Sequence, residues 1–301
     1  MSLLVVGSVA YDSIITPQAA ADEVLGGSAT FFATAASHFT PVNLVAVVGD
    51  DFHHQDIAFL KDRKVSLEGL QTAPGKTFRW KGRYLENMND RETLYTHLNV
   101  FETFKPELPL SYRNSPFVFL ANIGPELQYA VMQQVTKPLF VAMDTMNFWI
   151  SGAPEPLRKI LSVVDGLIIN DAEVKELSGE SNIFVGARKI QAMGPSTLII
   201  KKGEHGALLV HNQSYFYCPA YPVTLLYDPT GAGDTFAGGF MGYLAKIGKV
   251  DDASLRWAVV YGSALASYCV EAFGIAAIRD LSAVDIQKRV DALTAMTRLP
   301  A

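Results

Sequence analysis

Short, uncharged runs of Val, Ile and Leu alternate along the chain with longer segments of helical spacing. No other feature narrows the fold as much. The runs 3–6, 44–48, 117–120, 139–143, 166–169 and 197–200 have the length and continuity of strands buried on both faces of a parallel sheet. Segments 27–39, 52–63, 125–136, 154–164, 172–178 and 183–193 read as the intervening helices. The pattern predicts a doubly wound, mostly parallel α/β sheet with helices on both faces. Ligands of such sheets bind beyond the carboxyl ends of the strands. Further helices are expected at 233–246, 251–272 and 283–297, and no linker interrupts the 301 residues, so one domain is predicted over 1–301.

One stretch breaks the alternation. From 75 to 103, apolar or aromatic residues alternate with polar ones on either side of a polar turn at 86–91. That is the period of antiparallel strands around a turn. A small sheet standing off the main domain is predicted, joined by residues 13–25. An edge hairpin is the plainer alternative. Phe78, Trp80 and Tyr84 share one face of it, and such a face needs a cover: the ligand, the main domain or a second chain.

Charge and cysteine content remove several functions. Lys plus Arg number 25 and Asp plus Glu 30, a formal charge of −5, which disfavours a general nucleic-acid binder. Two distant cysteines, Cys218 and Cys269, make no disulfide framework or structural zinc site. The N-terminus reads as a strand with no basic segment ahead of it, and no apolar stretch reaches membrane-spanning length. A cytoplasmic protein without membrane partners is expected. The adjacent His53-His54 lacks the i, i+4 spacing of a helical metal pair.

The chemistry concentrates in Asp228-Pro229-Thr230-Gly231-Ala232-Gly233-Asp234-Thr235-Phe236. Two glycines followed by a small-residue helix place several amides at a positive helix end, an anion hole for a phosphoryl group. Asp234, in the first turn, can take a proton from an attacking hydroxyl. A helix capped by Asp234 after a glycine turn would be the structural alternative. Asn170, ending a buried run, either faces a ligand or caps the next helix.

Six segments in order resemble the ribokinase-like, or phosphofructokinase B, family of sugar and nucleoside kinases. They are Gly7-Ser8-Val9-Ala10-Tyr11-Asp12, Gly26-Gly27-Ser28-Ala29-Thr30, Val47-Val48-Gly49-Asp50-Asp51-Phe52, Asn170-Asp171-Ala172-Glu173, Lys202-Gly203-Glu204-His205-Gly206 and the segment around Asp234. The resemblance implies a kinase using ATP and Mg²⁺. Asp234 would be the base and Gly231, Ala232 and Gly233 the anion hole. Asp12, at the end of the first strand, would hold the acceptor with Gly26, Gly27 and Ser28. Asn170 and Glu173 would organise Mg²⁺ through water. Lys202, Gly203 and Gly206 would line the nucleotide site, with Ser263 approaching the adenine. The hairpin would be a lid, and its face of Phe78, Trp80 and Tyr84 favours lid-to-lid pairing in a homodimer. Asp228 and the loop 269–278 would hold a monovalent cation such as K⁺.

Two departures bear on the acceptor. Ser28 and Phe31 stand where ribose kinases carry a polar Lys and Asn, and His54 replaces a small residue. Phe31 or Phe32, about 100° apart on a helix, would stack on a base, which favours a nucleoside over a simple sugar. A catalytically silent sensor of the same ligands is the competing function.

Overall fold

A computed structural model of the chain describes residues 1–299. Its strands are β1 (Leu3–Val6), β2 (Ala10–Ile15), β3 (Ala20–Gly26), β4 (Val42–Gly49), β5 (Val65–Ala73), β6 (Phe78–Tyr84), β7 (Arg91–His97), β8 (Phe117–Leu120), β9 (Phe140–Asp144), β10 (Gly166–Asn170), β11 (Thr197–Lys201), β12 (Ala207–His211) and β13 (Ser214–Cys218). One sheet has the order β13-β12-β11-β10-β9-β8-β1-β4-β5. Pairing is parallel from β5 through β11, and β12 and β13 add an antiparallel edge.

Side-chain alternation explains why the strand runs are continuously apolar. Leu3 and Val5 enter one core layer while Leu4 and Val6 enter the other. The first layer is closed by the helices Ser28–Ala36, Ala232–Ile247 and Asp252–Cys269, the second by Pro125–Met132, Pro154–Leu161, Asp171–Ser178 and Ile183–Gln191. Strand order reverses at β1, which lies between β4 and β8. A crevice opens at such a reversal, beyond the strand ends.

The remaining strands form a second sheet, β3-β2-β6-β7. Its outer pairs are antiparallel and its central pair, β2 with β6, is parallel. The aromatic face is covered by this chain itself. Ile14, Tyr84 and Met88 form a cluster joined by Val24, Trp80, Leu226 and Phe273, and Phe78 stacks on Phe101 at 5.4 Å. Arg79 pairs with Glu23, and Lys81 with Asp22.

Three local expectations change. Asp12 does not end the first strand: the chain leaves the large sheet after Val6, and Asp12 lies within β2 of the small sheet. Residues 223–227, a strand-like Val-Thr-Leu-Leu-Tyr run ahead of Asp228, form no strand, and Tyr227 donates its N–H to the Val270 carbonyl. The strands β5, β12 and β13 escaped the sequence reading, since Glu68 and Gln71 interrupt one and short polar turns bound the others.

Candidate active site

The helix Ala232–Ile247 begins at Gly231, whose φ of 74° is left-handed. A Cβ there would stand 2.4 Å from the Phe31 ring, so both backbone and space require glycine. The helical ladder starts with the Thr235 amide bonding to the Gly231 carbonyl. The amides of Gly233 and Asp234 therefore have no partner earlier in the helix and converge at its positive end. Asp234 is half-buried beside them. Burial, then the charge of Asp144, pushes its carboxyl up to about 7, against the pull of Lys201 and Arg91. A base poised near neutrality suits proton abstraction.

Asp12 lies across the cleft, buried, with Oδ2 accepting from the Gly27 amide at 3.3 Å. Its carboxyl is also raised to about 7, mainly by burial, with Asp228 and Asp234 adding to the rise. Gly26 makes room for it: a Cβ there would be 1.9 Å from Asp12 Oδ2. Gly27 is left-handed at φ 90°, and a Cβ would meet the Ser8 carbonyl at 2.6 Å. Ser28 is committed elsewhere. Its amide donates to Ser8 Oγ, and its Oγ accepts the Ser8 amide. This exchange anchors the helix start to the loop after β1.

Phe31 is not a ligand platform. It is 1 % exposed and packs with Cys269, Ile275 and Ile278 beneath Gly231. Phe32 stacks on Phe119 at 4.4 Å inside the core. The divergence of adjacent helix positions puts both rings in the core because helices or sheet cover both directions.

Asn170 and Glu173 form a reciprocal capping box: the Glu173 amide donates to Asn170 Oδ1 at 2.8 Å, and the Asn170 amide to Glu173 Oε2 at 2.9 Å. Burial raises the Glu173 carboxyl, and Lys201 opposes it. Asp144, Asn170 and Lys201 end the adjacent strands β9, β10 and β11. Residues two positions earlier, Ala142, Ile168 and Ile199, face the layer containing the helix Ala232–Ile247. By alternation all three polar termini face that helix. Asp144 and Lys201 were missed in the sequence because the apolar runs were ended one residue short. A polar residue closing an otherwise apolar strand was the available signal.

Lys202 faces the other way, with Nζ 3.9 Å from Asp171. The turn after it closes with the Lys202 amide on the Gly206 carbonyl. Gly206 is forced by crowding, since a Cβ would be 2.1 Å from the Cys218 carbonyl. Gly203, at φ 54°, sits against Asn89 Oδ1. Asn89, on the β6–β7 turn, donates to Glu204 at 2.8 Å, so the small sheet's tip touches this turn. Thr230 Oγ1 donates to the Tyr84 hydroxyl at 3.1 Å, a second tie from the small sheet to the anion-hole loop. Arg91, at the start of β7, was also missed, and its charge lowers the carboxyls of Asp12, Glu173 and Asp234. Ser263 is buried, with its Oγ beside the Cys218 thiol.

Asp228 is fully buried. Its oxygens accept from the amides of Thr230 at 2.8 Å and Gly274 at 3.4 Å. Burial raises its carboxyl, and no Lys, Arg or His pairs with it among the described residues. A buried carboxylate without a cationic partner fits a bound monovalent cation. Among the described residues no group of three or more His, Cys, Asp or Glu side chains could cage a metal.

Comparison with known proteins agrees with this fold. The family model for pfkB family carbohydrate kinases matches residues 2–280. A cytidine kinase of Thermococcus kodakarensis is 29 % identical over 248 residues, covering 80 % of this chain and 87 % of that protein. Among solved structures, a Burkholderia thailandensis nucleoside kinase in complex with inosine superposes with TM-score 0.78 at 19 % identity, covering 97 % of this chain and 99 % of the other. An aminoimidazole riboside kinase of Salmonella enterica, complexed with aminoimidazole riboside and an ATP analogue, gives 0.77 at 20 % identity, covering 96 % and 100 %. At these identities the structural matches speak for the fold.

Proposed function

The chain belongs to the pfkB carbohydrate kinase family, and from that membership we propose that it transfers the γ-phosphoryl group of ATP to a hydroxyl of a nucleoside. The observation that carries the reading is Asp234, raised to about 7 beside first-turn helix amides. The acceptor hydroxyl gives its proton to the Asp234 carboxylate as its oxygen attacks phosphorus. The amides of Gly233 and Asp234 stabilise the charge that collects on the phosphoryl oxygens. Asp12 and the Gly26–Gly27 backbone hold the acceptor. Glu173 and Asn170 would hold nucleotide-bound Mg²⁺ through water, and the ion would supply neutralisation of phosphate charge. Asp228 and the loop 269–278 would hold K⁺, which would keep the anion-hole loop in shape. The small sheet closes the cleft as a lid. Any pairing of two chains uses its edge strands β3 and β7, because its aromatic face is covered.

Burial of Phe31 removes the stacking argument for a base, so the nucleoside preference rests on relatives named for nucleoside acceptors. No helix among the described residues is long and apolar enough to cross a membrane, and a cytoplasmic site of action, where ATP is available, belongs to the proposal. The test is a parallel assay of adenosine, inosine, cytidine, ribose, fructose and 2-keto-3-deoxygluconate, with products identified by mass spectrometry. A phosphorylated nucleoside with the highest kcat/KM is expected. A free sugar far ahead of every nucleoside overturns the acceptor, and binding without product in every case favours the silent sensor.

A further inference from the structure

Taking the kinase reading as its basis, we propose that Lys201 is a catalytic residue whose ammonium contacts the phosphoryl group in transfer, with Asp144 as the residue that positions it. A Cβ added to Gly233 would stand 2.9 Å from Lys201 Nζ. The ammonium therefore lies directly against the residue whose amide helps form the anion hole. No side chain larger than glycine leaves it that position.

The ammonium is under-satisfied within the chain. Its nearest acidic contact is Asp144 Oδ2 at 3.6 Å, which is a charge contact too long for a hydrogen bond. No hydrogen bond from Nζ occurs among the described residues, and the side chain is 21 % exposed. Three donors in so confined a place need acceptors from water or a ligand. A purely structural ion pair would close to hydrogen-bonding distance and fill its remaining donors, because burying charges is otherwise unfavourable.

Charge placement points the same way. A lysine at the positive end of a helix is repelled by it unless an anion lies between them. The groups around Nζ are Asp144, Glu173 and Asp234, whose charges keep the ammonium protonated. Asp144 approaches it from a strand end and Glu173 from the first turn of the helix Asp171–Ser178, so a phosphoryl oxygen would meet Nζ and the neighbouring Gly233 amide side by side. In the transfer, the acceptor oxygen forms its bond to phosphorus and its proton goes to Asp234. The bond from phosphorus to the bridging oxygen breaks, and ADP leaves with the electron pair. Lys201 donates hydrogen bonds to the transferring group throughout and gives up no proton.

The test uses the full chain with Lys201→Met, Lys201→Arg and Asp144→Asn. Initial rates are compared with calorimetric affinities for MgADP alone and for MgADP with aluminium fluoride and acceptor, a mimic of the transferring state. Lys201→Met is expected to lower kcat about a hundredfold, the loss typical of a removed charge-stabilising donor. It should weaken the mimic by a similar factor while MgADP affinity changes less than about threefold. Lys201→Arg should recover about tenfold of both losses. Asp144→Asn should weaken the mimic and move the acidic limb of kcat/KM to lower pH, since Asp144's charge helps raise Asp234. A Lys201→Met enzyme within about threefold of the parent rate overturns the proposal. So does equal weakening of MgADP and mimic, or failure of both Lys201 variants to fold. Turnover by the unsubstituted protein is measured in the same plate, so loss of the kinase reading shows separately.

Discussion

Asp234→Asn separates catalysis from stability at one position. Asparagine keeps the size of the side chain and removes both the basic oxygen and the titration. The parent carboxyl rises from 3.8 to about 7 on folding, chiefly through burial. A raised acid favours folding while it is protonated, and that advantage is lost as pH climbs from the unfolded value to the folded one. The difference of roughly 3 units, at about 1.4 kcal/mol each, sets an upper limit of about 4 kcal/mol. Lys201 and Arg91 lose an attractive partner in the variant, and the cleft admits solvent, so about half of that is expected, about 2 kcal/mol. For a chain of this length that is about 3 °C in Tm. The variant should match the parent in Tm near pH 4, gain through pH 5 and 6, and stand about 3 °C higher at pH 8. Asp12 titrates in both proteins, and in the variant it loses only the part of its rise that the Asp234 charge supplies, behind burial and Asp228. Over the same range kcat should be about a hundredfold lower or worse. Scanning calorimetry at several pH values, with initial rates on the same samples, reads both effects. A Tm difference that does not change with pH refutes the raised carboxyl, and near-normal turnover refutes the base.

Gly26→Ala drives a Cβ to within 1.9 Å of Asp12 Oδ2; kinetics should show acceptor KM raised about tenfold with ATP KM little changed. Asn89→Ala removes the bond to Glu204 that joins the small sheet's tip to the nucleotide turn; kcat and both KM values should shift together by a few fold while Tm holds, because the bond is exposed and spans a closing element. Exchange of K⁺ for a bulky organic cation should slow turnover through the loop at Asp228, and chelation of Mg²⁺ should abolish it; a rate indifferent to the monovalent ion removes that site alone.

The large sheet was legible because its order is local. A run such as 166–169 is apolar at every position only if both faces are covered, and that requirement is written in consecutive residues. The glycine turn ahead of Asp234 was legible for the same reason: Gly231, Gly233 and Asp234 belong to one turn and one helix start, so spacing alone brings them together. Asn170 and Glu173 are likewise three residues apart, and their capping box is a local event.

What the sequence left open depends on residues far apart in the chain. Lys201 and Asp144 meet only because β9 and β11 flank β10 and because alternation turns their ends toward one helix. Moving one position along β11 reverses the face, which is why Lys202 pairs with Asp171 while Lys201 meets the cleft. Phe31 read as a platform for a base, but the helices behind it seal the ring under Gly231. Arg91 looked like a turn residue until β6 and β7 folded back over the cleft. Periodicity and local spacing fixed the elements and the chemistry carried by one turn. Only the packing of distant strand ends decided which charged groups share the space where a phosphoryl group would sit.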